Sequence, residues 1–79
     1  MCHFRFVWND EERRRLKKLA ENLRRIRLEK NISQIALEVK ADISKNIVGQ
    51  IERTEVNPTF LTLVRISSAL EVSLDVLTQ

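Results

Sequence analysis

From Ser44 to Arg53 the chain reads SKNIVGQIER, and the side chains able to do chemistry there fall on one side of a helix. Ile47, Val48 and Ile51 recur at three- and four-residue spacing and make the apolar side. Lys45, Asn46, Gly49, Gln50 and Arg53 then share the opposite side, whose side chains are all cations or amides, with no carboxylate. Groups of this kind read purine edges in the major groove of DNA: an amide bonds adenine with two hydrogen bonds, and a lysine bonds guanine or a phosphate. Gly49 is the only glycine in the chain. At mid-helix it costs about 1 kcal/mol relative to alanine, and the expected return is close approach of the bare backbone to DNA. The plain alternative, a helix facing only solvent, would ordinarily mix glutamate or aspartate into that face.

Other elements must hold this segment out from the body of the protein. Helical periodicity is strong from Asp10 onward, and the chain is expected to be all-α. Asn9 can cap a first helix running to about Lys30, with Asp10, Glu11 and Glu12 in its first turn and Leu16, Leu19, Ala20, Leu23 and Ile26 along its apolar stripe. Asn31 ends it, and Ser33 caps a second helix over about residues 34–40. The connection ADIS is so short that the third helix, predicted over about residues 45–53 with Ser44 as its cap, must cross the second steeply and protrude. Pro58 restricts Asn57 and breaks helicity after Arg53. Thr59 opens a fourth helix, Phe60 to about Leu70, and Ser73 a short fifth, LDVL.

Length and charge exclude several classes of function. A chain of 79 residues buries only about 60% of its unfolded surface, too little for a large enclosed catalytic site. The net charge is +3, but residues 1–30 hold ten basic and five acidic groups while residues 31–79 hold four and six. The basic third points to a polyanion, nucleic acid or an acidic surface, with a solvated helix face as the plain alternative. With one cysteine and one histidine, Cys2 and His3, neither an internal disulfide nor a zinc cluster is expected. No secretory leader and no run of about 18 apolar residues occurs, so a cytoplasmic protein without a membrane partner is expected. Clustered carboxylates or histidines suited to hydrolysis are missing, and neither enzymatic activity nor a cofactor nor a small-molecule ligand is expected.

The residues from about 20 to 77 resemble the helix-turn-helix domain of the lambda repressor and Cro class, the XRE family. The resemblance rests on Ser33-Gln34 opening helix two, Leu37, Ile43-Ser44 in the turn, Ile51-Glu52-Arg53 ending helix three, Asn57-Pro58-Thr59 in the next loop, and ALEVSLDVL at the end. The nineteen-residue step from Ser33 to Glu52, with Pro58 in register, makes the set specific. It implies a five-helix domain over residues 10–79 that binds double-stranded DNA, with Lys45, Asn46, Gly49 and Gln50 at the bases. Gln34, Ser44, Arg53, Asn57 and Thr59 would bond phosphates, with Arg24 the best candidate from helix one, while Arg13 to Lys18 serve solubility or long-range attraction. Arg27 and Glu52 match a structural ion pair. Stand-alone members of this size include restriction-modification controller proteins, phage Cro-like repressors and antitoxins; the controller type is preferred, although the sequence does not separate them.

Five positions depart from that pattern. Glu38 and Ala36 look exchanged, so either helices two and three pack differently or Glu38 reaches solvent at the rim. Asp42 and Thr54 replace glycines at turns that are often left-handed, a conformation threonine tolerates poorly, which predicts a reshaped loop after Arg53. Glu55 stands where a basic residue is common and should weaken phosphate contact there. Residues 1–9 lie outside the resemblance. Phe4, Phe6 and Trp8 alternate there with polar or smaller residues like a half-buried strand, packing on the domain or across a dimer if the segment is ordered. A regulator of this kind is expected to pair as a homodimer on a palindromic operator, through Val64, Leu74, Val76 and Leu77 with the N-terminal aromatics. The competing reading is a protein-interaction module built on the same fold.

Overall fold

Asn9 starts α1 (Asp10–Glu29) with a complete capping box: its side chain accepts the Glu12 N–H at 2.8 Å, and the Glu12 carboxylate accepts the Asn9 N–H at 3.0 Å. The computed structural model describes residues 8–79, and over them the chain folds into five helices without a strand. After α1 come α2 (Gln34–Ala41), α3 (Ile47–Glu52), α4 (Phe60–Leu70) and α5 (Leu74–Thr78). Ser33 and Thr59 cap α2 and α4 with their hydroxyls, which accept the N–H groups of Ala36 and Thr62. Pro58 follows an extended loop and cannot donate to a helix, so α4 begins just after it.

Four of the helices end in the same way, each on a left-handed residue that is not glycine. Asn31, Asp42, Thr54 and Glu71 have φ of 58° to 60°, and the residue after each bonds back five positions, as Ile32 N–H does to the Arg27 carbonyl at 3.1 Å. This is the Schellman pattern. In three of the four the residue after the turn is apolar, Ile32, Ile43 or Val72, and it packs against the core. Burial of that side chain offsets the roughly 1–2 kcal/mol a left-handed L-residue costs. Thr54, followed by exposed Glu55, lacks that compensation and still adopts the conformation its sequence disfavours, so the loop predicted to be reshaped follows the ordinary turn.

The core joins Leu19, Leu23 and Ile26 of α1 to Leu37, Val48, Ile51, Ile66, Leu70 and Leu77 of the other four helices. Leu77 was predicted at a dimer surface; it is fully buried, and its carbonyl accepts from the buried Asn22 amide at 2.9 Å. The five-residue α5, about 1.4 turns long, presents apolar residues on more than one side, and it is packing against α1 that turns Leu77 inward. Val76 also packs against this core, whereas Val64 and Leu74 are half-buried. Among the described residues, the large apolar side chains left exposed are Leu28, Ile35, Val39, Phe60 and Leu61. Phe4 and Phe6 lie outside the described residues, and Trp8 is half-buried beside Leu16 and Asn57.

Candidate nucleic-acid interface

The third helix is shorter than its sequence suggests. Asn46, not Ser44, is its N-cap, at φ 73°, and its side chain makes no capping bond; Ser44, Lys45 and Asn46 form an exposed turn ahead of the helix. The capping group comes from elsewhere. Glu38 of α2 is 5% exposed, and its carboxylate accepts the Val48 N–H at 3.0 Å. A helix N-terminus presents unpaired N–H groups and a partial positive charge, which a carboxylate satisfies on both counts. Glu38 thus reaches inward to cap the recognition helix rather than outward to the rim.

At the other end of α3, Glu52 gathers three hydrogen-bond donors and a more distant cation. Its two oxygens accept the Arg27 Nε and Nη2 at 2.7 and 3.0 Å, a bidentate fork between side chains 7% and 3% exposed. Arg27 Nη1 also donates to the Ile32 carbonyl, joining the last turn of α1 to the approach to α2. The hydrogen bond it donates to Glu52 holds the Arg27 guanidinium above the ordinary arginine value, so Arg27 stays charged. Gln34 Nε2 donates to Glu52 Oε1 at 3.0 Å, and the mostly exposed Arg24 stands 3.8 Å from the same oxygen. The structural pair and two phosphate candidates are therefore one network, and Glu52 orients Gln34 at the head of α2.

Gly49 is not on the open face. It is buried, and a Cβ built there would lie 2.9 Å from Arg53 Nη1 and 3.2 Å from Gln34 Oε1. The missing side chain lets these two long side chains cross over α3; helical spacing alone placed Gly49 outward because it did not include the head of α2. Both obstructing atoms end flexible chains and can move aside. Gly49→Ala is thus expected to leave stability within about 1 kcal/mol of wild type, helix propensity offsetting the displacement. It should weaken DNA binding by a similar factor on every sequence, because Gln34 and Arg53 are disturbed while Lys45, Asn46 and Gln50, the residues expected at the bases, are not. Urea unfolding and paired titrations of a preferred and an unrelated duplex read this; a loss confined to the preferred duplex would restore the direct approach of Gly49 to DNA.

Of the remaining candidates, Lys45 and Asn46 are exposed in the turn ahead of α3, and Gln50, the fourth residue of the helix, is half-buried. Arg53 is exposed but engaged: its Nε and Nη2 reach the Glu55 carboxylate at 2.8 and 3.2 Å, and that hydrogen bond lowers the Glu55 pKa and raises that of Arg53. Asn57 and Thr59 are exposed in the next loop, with the Thr59 hydroxyl shared between its cap and Thr62. The capping role of Glu38 was not legible in advance, since only its departure from the family pattern marked it.

Comparisons with known proteins agree with this fold. The helix-turn-helix family HTH_3 matches residues 23–77. The HTH-type transcriptional regulator y4dJ of Sinorhizobium fredii is 35% identical over 57 residues, spanning 72% of this chain and 74% of that protein. The restriction-modification controller protein C.AhdI of Aeromonas hydrophila superposes with a TM-score of 0.76 at 27% identity, covering 78% of this chain and 94% of that one. An HTH_3 family transcriptional regulator of Vibrio cholerae gives 0.78 at 34% identity, covering 82% of this chain and 36% of the longer regulator. The chain belongs to the HTH_3, or XRE-type, helix-turn-helix family, a family of DNA-binding transcriptional regulators and not of enzymes.

Proposed function

We propose that the protein is a homodimeric regulator that binds a palindromic operator in double-stranded DNA and acts in the manner of a restriction-modification controller. The observation that carries the reading is the exposed turn of Lys45 and Asn46 leading into α3, a helix that carries Gln50 and is anchored at both ends by buried carboxylates. Lys45, Asn46 and Gln50 meet base edges, while Gln34, Ser44, Arg24, Arg53, Asn57 and Thr59 lie toward phosphates. The likeness to C.AhdI along 94% of that protein supports the controller type. One such helix reads few base pairs, so two are needed about 34–36 Å apart. Exposed Phe60 and Leu61, with half-buried Val64 and Leu74, offer apolar surface for the pairing. Binding at an operator is cytoplasmic, in the nucleoid; among the described residues no helix is long and apolar enough to cross a membrane.

Gel shift against the DNA upstream of its own gene, at two salt concentrations, tests the reading, and sedimentation tests the dimer. Sequence-indifferent binding that fades with salt would reduce the protein to a nonspecific binder. Gln50→Ala is expected to cost about 1–3 kcal/mol against the best site and to relax base preference, whereas Gln34→Ala should weaken all sequences alike. Equal losses from both across a site library would overturn these roles. Exposed Ile35 and Val39 on α2 favour a second reading, a protein-interaction module, which a complete absence of DNA binding would select.

A further inference from the structure

Helix α1 begins thirteen residues before the family match at residue 23, and its first half carries most of the basic charge. The structure separates these cations into two groups. Arg14 and Arg15 share Glu11, and Arg25 stands 3.9 Å from Glu29, so these three cations have carboxylate partners within α1 itself. Arg13, Lys17 and Lys18 form no ion pair among the described residues.

Arg13 and Lys17 share one edge of α1 with Arg24: at 3.6 residues per turn the three lie within about 40° of one another around the helix. Along the axis they span roughly 16 Å, comparable to about five base pairs. That edge faces the end of the recognition helix. Arg24 stands by Glu52, and Arg13 and Lys17 line a shallow hollow with Thr54, the residue after Arg53. Asp10 is the carboxylate in that hollow. Glu52 is committed to Arg27 and Glu55 to Arg53, so the edge keeps an excess of positive charge next to the loop assigned to phosphates. Lys18, about 100° further round the helix, belongs to a different hollow, with Thr78 and Gln79 at the end of α5; Lys17 stands between the two.

We propose that Arg13 and Lys17 form a second phosphate-binding strip, continuous with Arg24, that grips the DNA backbone flanking the operator half-site. The inference rests on the DNA-binding reading above and extends it to a part of α1 that the family match does not cover. It makes the site longer than the recognition helix alone requires. The contact is to phosphates, so it adds affinity without adding sequence preference.

The test uses the whole protein and the best duplex recovered from a randomised library, built with and without about one helical turn of flanking base pairs. Lys17→Gln and Arg13→Gln are each expected to weaken binding to the long duplex roughly threefold to tenfold and to reduce its salt slope by about 1. The effect on the short duplex should be much smaller. Lys18→Gln removes the same charge one residue away and is expected to leave both duplexes unchanged within about twofold. Equal losses from Lys17→Gln and Lys18→Gln would mean long-range attraction and would overturn the strip, as would losses independent of duplex length. A wild-type protein that binds no duplex overturns the DNA-binding reading together with the strip. A wild type that selects a sequence while Arg13→Gln and Lys17→Gln bind normally overturns the strip alone.

Discussion

Glu52→Ala is expected to remove about 3–5 kcal/mol of folding stability, because it leaves the Arg27 guanidinium buried without its counter-charge. For a small domain whose total is of the order of 5–15 kcal/mol, that is a large share. At about 4–8 °C per kcal/mol the thermal midpoint should fall by well over 10 °C. Gln34 loses its acceptor in the same step, so the head of α2 is loosened as well. Replacing both partners, Arg27→Met with Glu52→Leu, should cost far less, since the penalty comes from an unanswered charge rather than from the lost pair. Urea unfolding of the two single variants and the double variant measures this. A Glu52→Ala loss below about 1 kcal/mol, or a double variant no more stable than the singles, would show that water or packing, and not charge burial, governs the site.

Glu38→Ala should cost about 2 kcal/mol, the scale of a hydrogen bond to a charged group, and the damage should concentrate on the recognition helix. Asn46 provides no side-chain cap, so the Val48 N–H loses its acceptor when the carboxylate goes. Glu38→Gln keeps an oxygen in place and should recover part of the loss, short of the roughly 0.3–1 kcal/mol that charge contributes at a helix N-terminus. Amide exchange at Val48 is the direct readout: it should accelerate strongly in Glu38→Ala and modestly in Glu38→Gln. DNA affinity should fall in the same order, because Lys45 and Asn46 sit on the turn that this carboxylate steadies. Unchanged exchange at Val48 in Glu38→Ala would rule out the capping role.

Capping chemistry and periodicity made the helices legible because both act over three or four residues. Asn9, Ser33 and Thr59 each cap the helix their sequence position suggests, and Asn31 ends α1 as a left-handed residue. The Arg27–Glu52 pair was legible through the family resemblance, although the residues are 25 positions apart. What failed involved partners distant in sequence without such a signal. The start of α3 depends on a carboxylate ten residues upstream, and the setting of Gly49 depends on Gln34, fifteen residues away. A helix of six residues, as α3 is, or of five, as α5 is, also gives too few repeats for spacing to fix which side is covered. Hence Leu77 was predicted at a surface and lies in the core.

By itself the sequence determined an all-α helix-turn-helix domain with a uniform amide and cation face on its third helix, because propensity, capping and apolar spacing are local properties. The tertiary structure alone decided how that helix is held and which charges remain available. Glu38 turns inward, Glu52 unites Arg27, Gln34 and Arg24, Arg53 is drawn to Glu55, and Gly49 makes room for the side chains of Arg53 and Gln34. The physical reason is that a buried or paired charge is defined by what surrounds it in space, and those neighbours come from several helices at once.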